Sequence, residues 1–255
     1  MEECILKTEH LSIAFGGLKA LTDFNIELKK GELVGLIGPN GAGKTTVFNL
    51  LTGVYKPTDG SMTLMGKPVG RRIRPDQLVR RGVARTFQNI RLFKNLTVLE
   101  NVMIASNFQM RYSVLGAMFR LGSFWREEEH VRQKALSLLD VFELRECADM
   151  LADNLPYGRQ RKLEIARALS TDPKLLLLDE PAAGMNPTET KELMQTISLI
   201  RERFGVTILL IEHDMSLVLG ICERILVLDY GMTICQGTPD EVVNDPKVIA
   251  AYLGE

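Results

Sequence analysis

The sequence predicts an α/β fold with a mainly parallel sheet, an N-terminal antiparallel β subdomain and an inserted α-helical subdomain. Three observations predict it. Apolar runs of strand length, at Leu33–Ile37, Leu175–Asp179, Val206–Ile211 and Ile225–Leu228, alternate with helical stretches, as buried parallel strands and crossover helices do. Polar and apolar residues alternate instead over Ile5–Phe15 and Leu21–Leu28, the pattern of half-buried antiparallel strands. From Leu96 to about Leu169 no convincing strand occurs, and apolar residues recur at helical spacing.

Taken in order, the two N-terminal strands close on a turn at Lys29-Lys30-Gly31-Glu32. Leu33–Ile37 then leads through a glycine-rich loop into a helix over Thr45–Thr52 that stops at Gly53. Strands are expected at Ser61–Met65 and Val83–Gln88. In the lobe, Leu99, Val102, Met103 and Ala105 mark one helical face, and Val131, Ala135, Leu138, Leu139 and Phe142 mark another. After Lys174 come strand, a helix over Thr188–Arg203, two more strands and two short helices. No internal repeat or low-complexity tract is present.

Length and composition fit one large domain with an inserted lobe: 255 residues, 45% hydrophobic, with dispersed glycine and proline, which excludes disordered and collagenous chains. Lys and Arg number 31 against 32 Asp and Glu; the net charge of −1 argues against a protein devoted to nucleic acid. No apolar run approaches the ~18 residues of a bilayer span. The acidic start Met1-Glu2-Glu3-Cys4 lacks a signal-peptide pattern, so a cytosolic location is expected. Cys4, Cys147, Cys222 and Cys235 are far apart and read as free, mostly buried thiols.

Gly38-Pro39-Asn40-Gly41-Ala42-Gly43-Lys44-Thr45 fits the phosphate-loop pattern G-x-x-x-x-G-K-[ST], and it lies between a predicted strand and a predicted helix as that motif requires. Chance alone gives the pattern in roughly 1% of chains this long, before that placement is counted. Glycines let the backbone form a nest of N–H groups around phosphate oxygens, and the helix N-terminus adds positive partial charge. Lys44 can reach the β- and γ-phosphates; the Thr45 hydroxyl can ligate Mg²⁺, and Thr46 continues the nucleotide-binding run.

Leu175-Leu176-Leu177-Leu178 ends in Asp179 and Glu180. Ligands in open parallel sheets bind beyond the carboxyl ends of the strands, so this pair is expected beside the loop, with Asp179 toward Mg²⁺ and Glu180 toward an attacking water. Ile208–Ile211 repeats the pattern and ends in Glu212-His213, which puts His213 within reach of a γ-phosphate. Gln88, closing the strand from Val83, is a further Mg²⁺ or water contact at the same edge.

Together these pieces resemble the ATP-binding subunits of ABC transporters over nearly the whole chain. The resemblance implies the ABC ATPase fold on a P-loop NTPase core, with ATP and Mg²⁺ as cofactors. It implies Phe15 as the adenine-stacking aromatic, Gln88 as Q-loop, Asp179 and Glu180 as the Walker B pair, and His213 as switch histidine. The core then spans 1–95 and 171–255, and the helical subdomain spans 96–170. More specifically, Arg85-Thr86-Phe87-Gln88, Leu96-Thr97-Val98-Leu99-Glu100-Asn101, Ala183-Gly184-Met185-Asn186-Pro187 and the ending Ala251-Tyr252-Leu253-Gly254-Glu255 look like the subunits of branched-chain amino-acid importers, as does an extra segment from about Phe108 to Trp125.

Two positions depart from the family pattern. Its signature Leu-Ser-Gly-Gly-Gln reads Leu155-Pro156-Tyr157-Gly158-Arg159, followed by Gln160; Pro156 offers neither hydroxyl nor N–H, yet proline suits the start of a helix, expected from about Gly158 to Ser170. The D-loop has Asn186 where aspartate is usual. The resemblance implies two membrane permease subunits, an extracytoplasmic amino-acid-binding protein and a second ATP-binding subunit. A heterodimer with a partner of intact signature is expected ahead of a homodimer, at the cytoplasmic face of the inner membrane. A transporter of urea or lipid, and a soluble ABC ATPase acting on nucleic acid or ribosomes, are the rival readings. Two features stay open: Arg71, Arg72, Arg74, Arg80 and Arg81 form either a solvated face or a contact with lipid headgroups or a membrane partner, and the greasy stretch from Tyr112 to Trp125 either packs within the lobe or docks a membrane subunit.

Overall fold

A computed structural model of the chain describes residues 3–106 and 122–253. It separates into two compact units, residues 1–88 with 174–255 and residues 89–173. In the first unit, β1 (Cys4–Phe15) and β2 (Leu18–Lys29) form an antiparallel pair, and β4 (Asp59–Leu64) and β5 (Lys67–Pro68) extend it to the order β2-β1-β4-β5. Alternation sets the register: Leu6 faces Leu28 and Leu64, and buried Thr8, the polar residue on this face, faces Ile26 and Met62 with its hydroxyl bonded to Phe24 O.

The second sheet of this unit contains β3 (Leu33–Ile37), β6 (Val83–Arg85), β7 (Leu175–Asp179), β8 (Thr207–Ile211), β9 (Arg224–Asp229) and β10 (Met232–Gly237), in the order β10-β9-β3-β8-β7-β6. All pairings are parallel except β9 with β10. Strand β3 is central, bonded to β8 on one side and β9 on the other, and all five of its residues are buried, which explains an apolar run without alternation.

Helix α1 (Lys44–Leu51) follows β3 and buries Val47, Phe48, Leu50 and Leu51, and Gly53 ends it in a left-handed conformation. The strand expected over Val83–Gln88 is shorter. Its last sheet bond runs from Thr86 N–H to Leu177 O, and Phe87 and Gln88 leave the ladder. Helix α2 (Pro75–Arg80), unforeseen, starts with Pro75 at its first position, and Gln77 Oε1 accepts the Arg74 N–H; six residues are too few to show periodicity. It accounts for part of the arginine run. Arg81 donates to the carbonyls of Leu64, Lys67 and Pro68, and Arg71 to Asp59 and the carbonyls of Thr58 and Gly60, so both arginines stitch the β4–β5 hairpin.

The second unit contains α3 (Val98–Ser106), α4 (Gly122–Val141) and α5 (Tyr157–Leu169). Thr97 and Glu100 form a capping box on α3: Thr97 Oγ1 accepts the Glu100 N–H, and Glu100 Oε2 accepts the Thr97 N–H. Buried Asn101 donates to the carbonyls of Phe93 and Thr97 and accepts the Phe93 N–H, fixing the chain that enters the unit. On α5, Arg161 and Glu164 form a buried ion pair at 2.8 Å, and Glu164 also accepts the Arg91 N–H. Of the greasy stretch from Tyr112 to Trp125, residues 112–121 lie outside the described residues; Trp125 is exposed.

In the first unit, α6 (Pro187–Phe204) connects β7 to β8, α7 (Met215–Ile221) follows β8, and α8 (Pro239–Val243) and α9 (Pro246–Leu253) end the chain. Strand β10, also unforeseen, returns from β9 through Tyr230-Gly231, both at positive φ, as a two-residue hairpin turn demands. Cys147 and Cys222 are buried, Cys4 and Cys235 partly so, and none is in a disulfide. Among the described residues no helix is long and apolar enough to cross a membrane.

Candidate nucleotide site

The loop Gly38–Lys44 leaves the buried end of β3 and turns into α1. Its glycines are required by conformation and by space. Gly38, Gly41 and Gly43 have φ of 149°, 81° and 106°, and a Cβ on Gly38 would lie 2.1 Å from the Leu228 carbonyl oxygen. Ala42 fastens the far side, its carbonyl accepting the Gly231 N–H at 2.9 Å. Lys44 folds back over its own loop and donates from Nζ to Gly38 O at 2.5 Å and Pro39 O at 3.0 Å. Burial pulls its pKa below the usual lysine range, against the opposing charges of Glu180 and Asp179. The carboxylate pair is thus close enough to act on the lysine, as expected of strands that share one sheet edge.

Three strand ends then converge. Gln88 Nε2 donates to Glu180 Oε2 at 2.6 Å, and His213 Nδ1 lies 3.7 Å from the same oxygen. Glu180 holds φ at 43°, a left-handed conformation uncommon outside glycine, with its N–H given to Ile211 O. The backbone bends sharply where the chain leaves the sheet, and the bend carries the Glu180 carboxylate to Gln88 and His213. Thr45 is exposed in the first turn of α1, Thr46 is half-buried, and the loop residues Asn40 and Gly41 are exposed while Pro39 is half-buried. Phe15 is 46% exposed, its ring edge-on to Tyr55 at 5.1 Å. A half-open aromatic face held by a second ring offers a stacking surface.

Two residues to which sequence reasoning gave no role complete the arrangement. Arg85 binds Asp179 Oδ2 at 2.7 Å and Asn49 Oδ1 at 2.8 Å, and lies over the rings of Phe48 and Phe87. Glu212, fully buried at the end of β8, accepts the N–H groups of Ala182 and His213 and so ties the turn after Glu180 to the histidine. Burial raises its pKa, and those backbone donors oppose the rise. The signal for Glu212 lies in the Ile208–Ile211 strand followed by Glu-His, a copy of the β7 pattern; Arg85 stands only inside the strand expected over Val83–Gln88 and in the importer-like run Arg85-Thr86-Phe87-Gln88.

The D-loop position Asn186 caps α6: its Oδ1 accepts the N–H groups of Thr188 and Glu189, both at 3.0 Å, and Glu189 returns a carboxylate to the Asn186 N–H. Asparagine caps as well as aspartate, which gives the departure from the family pattern a local reason. In the second unit, the signature segment Leu155–Gln160 opens α5, which begins at Tyr157, one residue earlier than expected. Pro156 is its N-cap and needs no N–H there; Gln160 donates to Leu155 O, and Arg159 reaches Cys147 Sγ at 3.3 Å. Tyr157 is exposed and Gly158 half-buried.

A glycine loop between a central parallel strand and a helix, with acid-ended strands at the same edge, defines the class of P-loop nucleotide hydrolases. Residues 21–183 match the family model of the ABC transporter, and residues 232–255 match that of the branched-chain amino acid ATP-binding cassette transporter. The chain belongs to the ABC transporter family, and as one of its ATPases it hydrolyses ATP. It is 48% identical over 255 residues, all of both chains, to the high-affinity branched-chain amino acid transport ATP-binding protein LivG of Salmonella typhimurium, and 44% identical, again over all of both, to BraF of Pseudomonas aeruginosa. Among solved structures, the ADP conformation of MJ1267, an ATP-binding cassette of an ABC transporter, superposes with a TM-score of 0.85 at 34% identity, covering 99% of each chain.

Proposed function

We propose that this chain is the ATP-hydrolysing subunit that powers an importer of branched-chain amino acids. The observation that carries this reading is its identity of nearly one half, end to end, with proteins of that name, together with the match at 232–255. In this reading Phe15 stacks on adenine, and the N–H groups of residues 38–46 receive the phosphates. Lys44 exchanges the carbonyls of Gly38 and Pro39 for the β- and γ-phosphate oxygens. The oxygen donors Thr45, Gln88 and Asp179 suit a hard cation, and Asp179 Oδ1 accepts no hydrogen bond from a described residue. Bound there, Mg²⁺ would neutralise charge on the phosphates. Glu180, oriented by Gln88, takes the proton of the attacking water, and His213 senses the γ-phosphate.

The signature residues Leu155–Gln160 and the D-loop residue Asn186 face the nucleotide of a second ATP-binding subunit, a different chain in the favoured arrangement. Closure and reopening of that pair drive two permease subunits, fed by an extracytoplasmic binding protein, with this chain held peripherally at the cytoplasmic face of the membrane. The test is uptake of labelled leucine, isoleucine and valine by cells with and without this subunit, with urea and lipid transport measured in parallel. Loss of uptake for the three amino acids alone is expected. Unchanged uptake, or loss confined to urea or lipid, would overturn the cargo.

A further inference from the structure

Strands β7 and β8 run side by side to their ends, where Glu180 gives its N–H to Ile211 O at 2.9 Å. Beyond that bond both chains leave the ladder, one into the turn after Glu180 and the other toward His213. The Glu212 side chain rejoins them. Its Oε1 accepts the Ala182 N–H at 2.7 Å and its Oε2 accepts the His213 N–H at 3.1 Å, with 1% of the residue exposed. The turn that it grips is itself closed: Ala183 gives its N–H to Glu180 O at 3.1 Å, and Met185 gives its N–H to Ala182 O at 3.0 Å. Holding the Ala182 peptide therefore holds the backbone that aims the Glu180 carboxylate.

The residue type is informative. Burying a carboxylate costs far more than burying an amide or an apolar side chain of the same size, so a position that needed nothing but filling gains nothing from glutamate. What glutamate supplies is two oxygens, each accepting one inward N–H; glutamine has one acceptor, and its NH₂ would face an N–H donor. We propose that Glu212 is a positioning residue for hydrolysis: its buried carboxylate clamps the Ala182 and His213 peptides together and so sets the Glu180 carboxylate against His213 for the chemical step. In the clamped arrangement His213 Nδ1 stands 3.7 Å from Glu180 Oε2. The clamp rests on the reading of Glu180 as the base and His213 as the γ-phosphate sensor. A displacement of ~1 Å in such a pair costs up to about a hundredfold in rate. The phosphate loop is fastened elsewhere, at Gly231, so turnover falls while the grip on the diphosphate stays.

The experiment compares full-length wild type with Glu212→Gln, Glu212→Asp, Ile208→Val and Glu180→Gln, by steady-state ATP hydrolysis, titration with a fluorescent ADP analogue, and thermal melting. The analogue has no γ-phosphate for His213 to touch. Amide hydrogen exchange of wild type at Ala182 and His213 reads the clamp without a substitution, and protection of both is expected. Both Glu212 variants should lose about ten- to a hundredfold in kcat, aspartate because it is a methylene too short to reach both N–H groups. Each should bind the ADP analogue within about twofold of wild type. Ile208→Val, a buried change on the same strand, should melt lower and keep the wild-type kcat. With Glu180→Gln inactive, a kcat within about threefold of wild type in either folded Glu212 variant overturns the clamp and leaves the base in place. So does an equal loss in Ile208→Val, rapid exchange at either amide, or failure of both Glu212 variants to fold, which would make the residue a structural one. Hydrolysis by Glu180→Gln at the wild-type rate overturns the base assignment and the clamp with it.

Discussion

Arg85 and Asp179 meet at 2.7 Å with both side chains 8% exposed, so the carboxylate proposed to face the metal already has a buried cationic partner on the neighbouring strand. A pair this secluded is costly to break from one side, because the surviving carboxylate stays buried without its hydrogen-bonded partner and keeps only the more distant Lys44 charge. Arg85→Ala is expected to lower stability by about 3 kcal/mol, seen as a lower midpoint in urea unfolding. A loss below about 1 kcal/mol would mean that the two charges are better solvated than their exposure implies.

Glu180 is the only proposed base, and Gln88 and His213 both address its Oε2 atom. Glu180→Gln should bind ATP with affinity near wild type, lose turnover by at least about a hundredfold, and accumulate a closed dimer visible by size exclusion. Undiminished hydrolysis by this variant would sink the assignment.

Two glycines of one loop should behave differently. A Cβ at Gly38 would overlap the Leu228 carbonyl, whereas at Gly41 it would meet nothing within 4 Å and suffer only from φ of 81°. Gly38→Ala should abolish nucleotide binding, and Gly41→Ala should cost about 1 kcal/mol of stability, with both read by calorimetry.

Burial pushes the Cys222 thiol up to about 12, with Glu212 and Glu223 adding to the shift. At pH 8 the thiolate is almost absent, so a disulfide reagent should leave Cys222 unmodified in the native protein and label it after unfolding in urea. Rapid native labelling at Cys222, located by peptide mass, would contradict its burial against Gly35 of β3, where an added Cβ would lie 3.1 Å from Cys222 Sγ.

The Asp214 carboxylate caps α7 by accepting the N–H groups of Ser216 and Leu217; the Ser216 hydroxyl, donating to the same carboxylate, lowers its pKa most, and the two N–H groups add to the shift. A lowered folded value means that the stabilisation is present above the ordinary aspartate range and fades as pH falls through the folded value. Asp214→Ala should therefore cost about 1 kcal/mol at neutral pH and progressively less below about pH 4. A cost that does not change between pH 7 and pH 3 would show that the carboxylate charge contributes nothing.

The loop, the acidic strand ends and the central strands were legible because each is written in consecutive residues. Gly38–Thr45 is one motif, and Leu175–Glu180 is one strand with its end. What stayed hidden is contact between distant residues or elements too short for a period. Arg85 finds Asp179 across 94 positions, and α2 has six residues. Strand β10 escaped for another reason: it pairs at the sheet edge with mixed exposure, so it has no apolar run, although Tyr230-Gly231 marked the turn before it. The sequence also placed the helical lobe at 96–170, while the compact units part at 88 and 173, since Asn101 holds Phe93 and draws residues before Leu96 into the lobe.

The phosphate loop hangs from β3, the strand with hydrogen-bonded neighbours on both sides and no exposed residue. Amides of such a strand exchange with solvent only when the whole sheet opens, so they are the last to take up deuterium. The loop is therefore anchored to the slowest-opening part of the molecule: local breathing elsewhere cannot release it, and hydrogen exchange at Val34–Leu36 will report the free energy that nucleotide adds to the whole first unit.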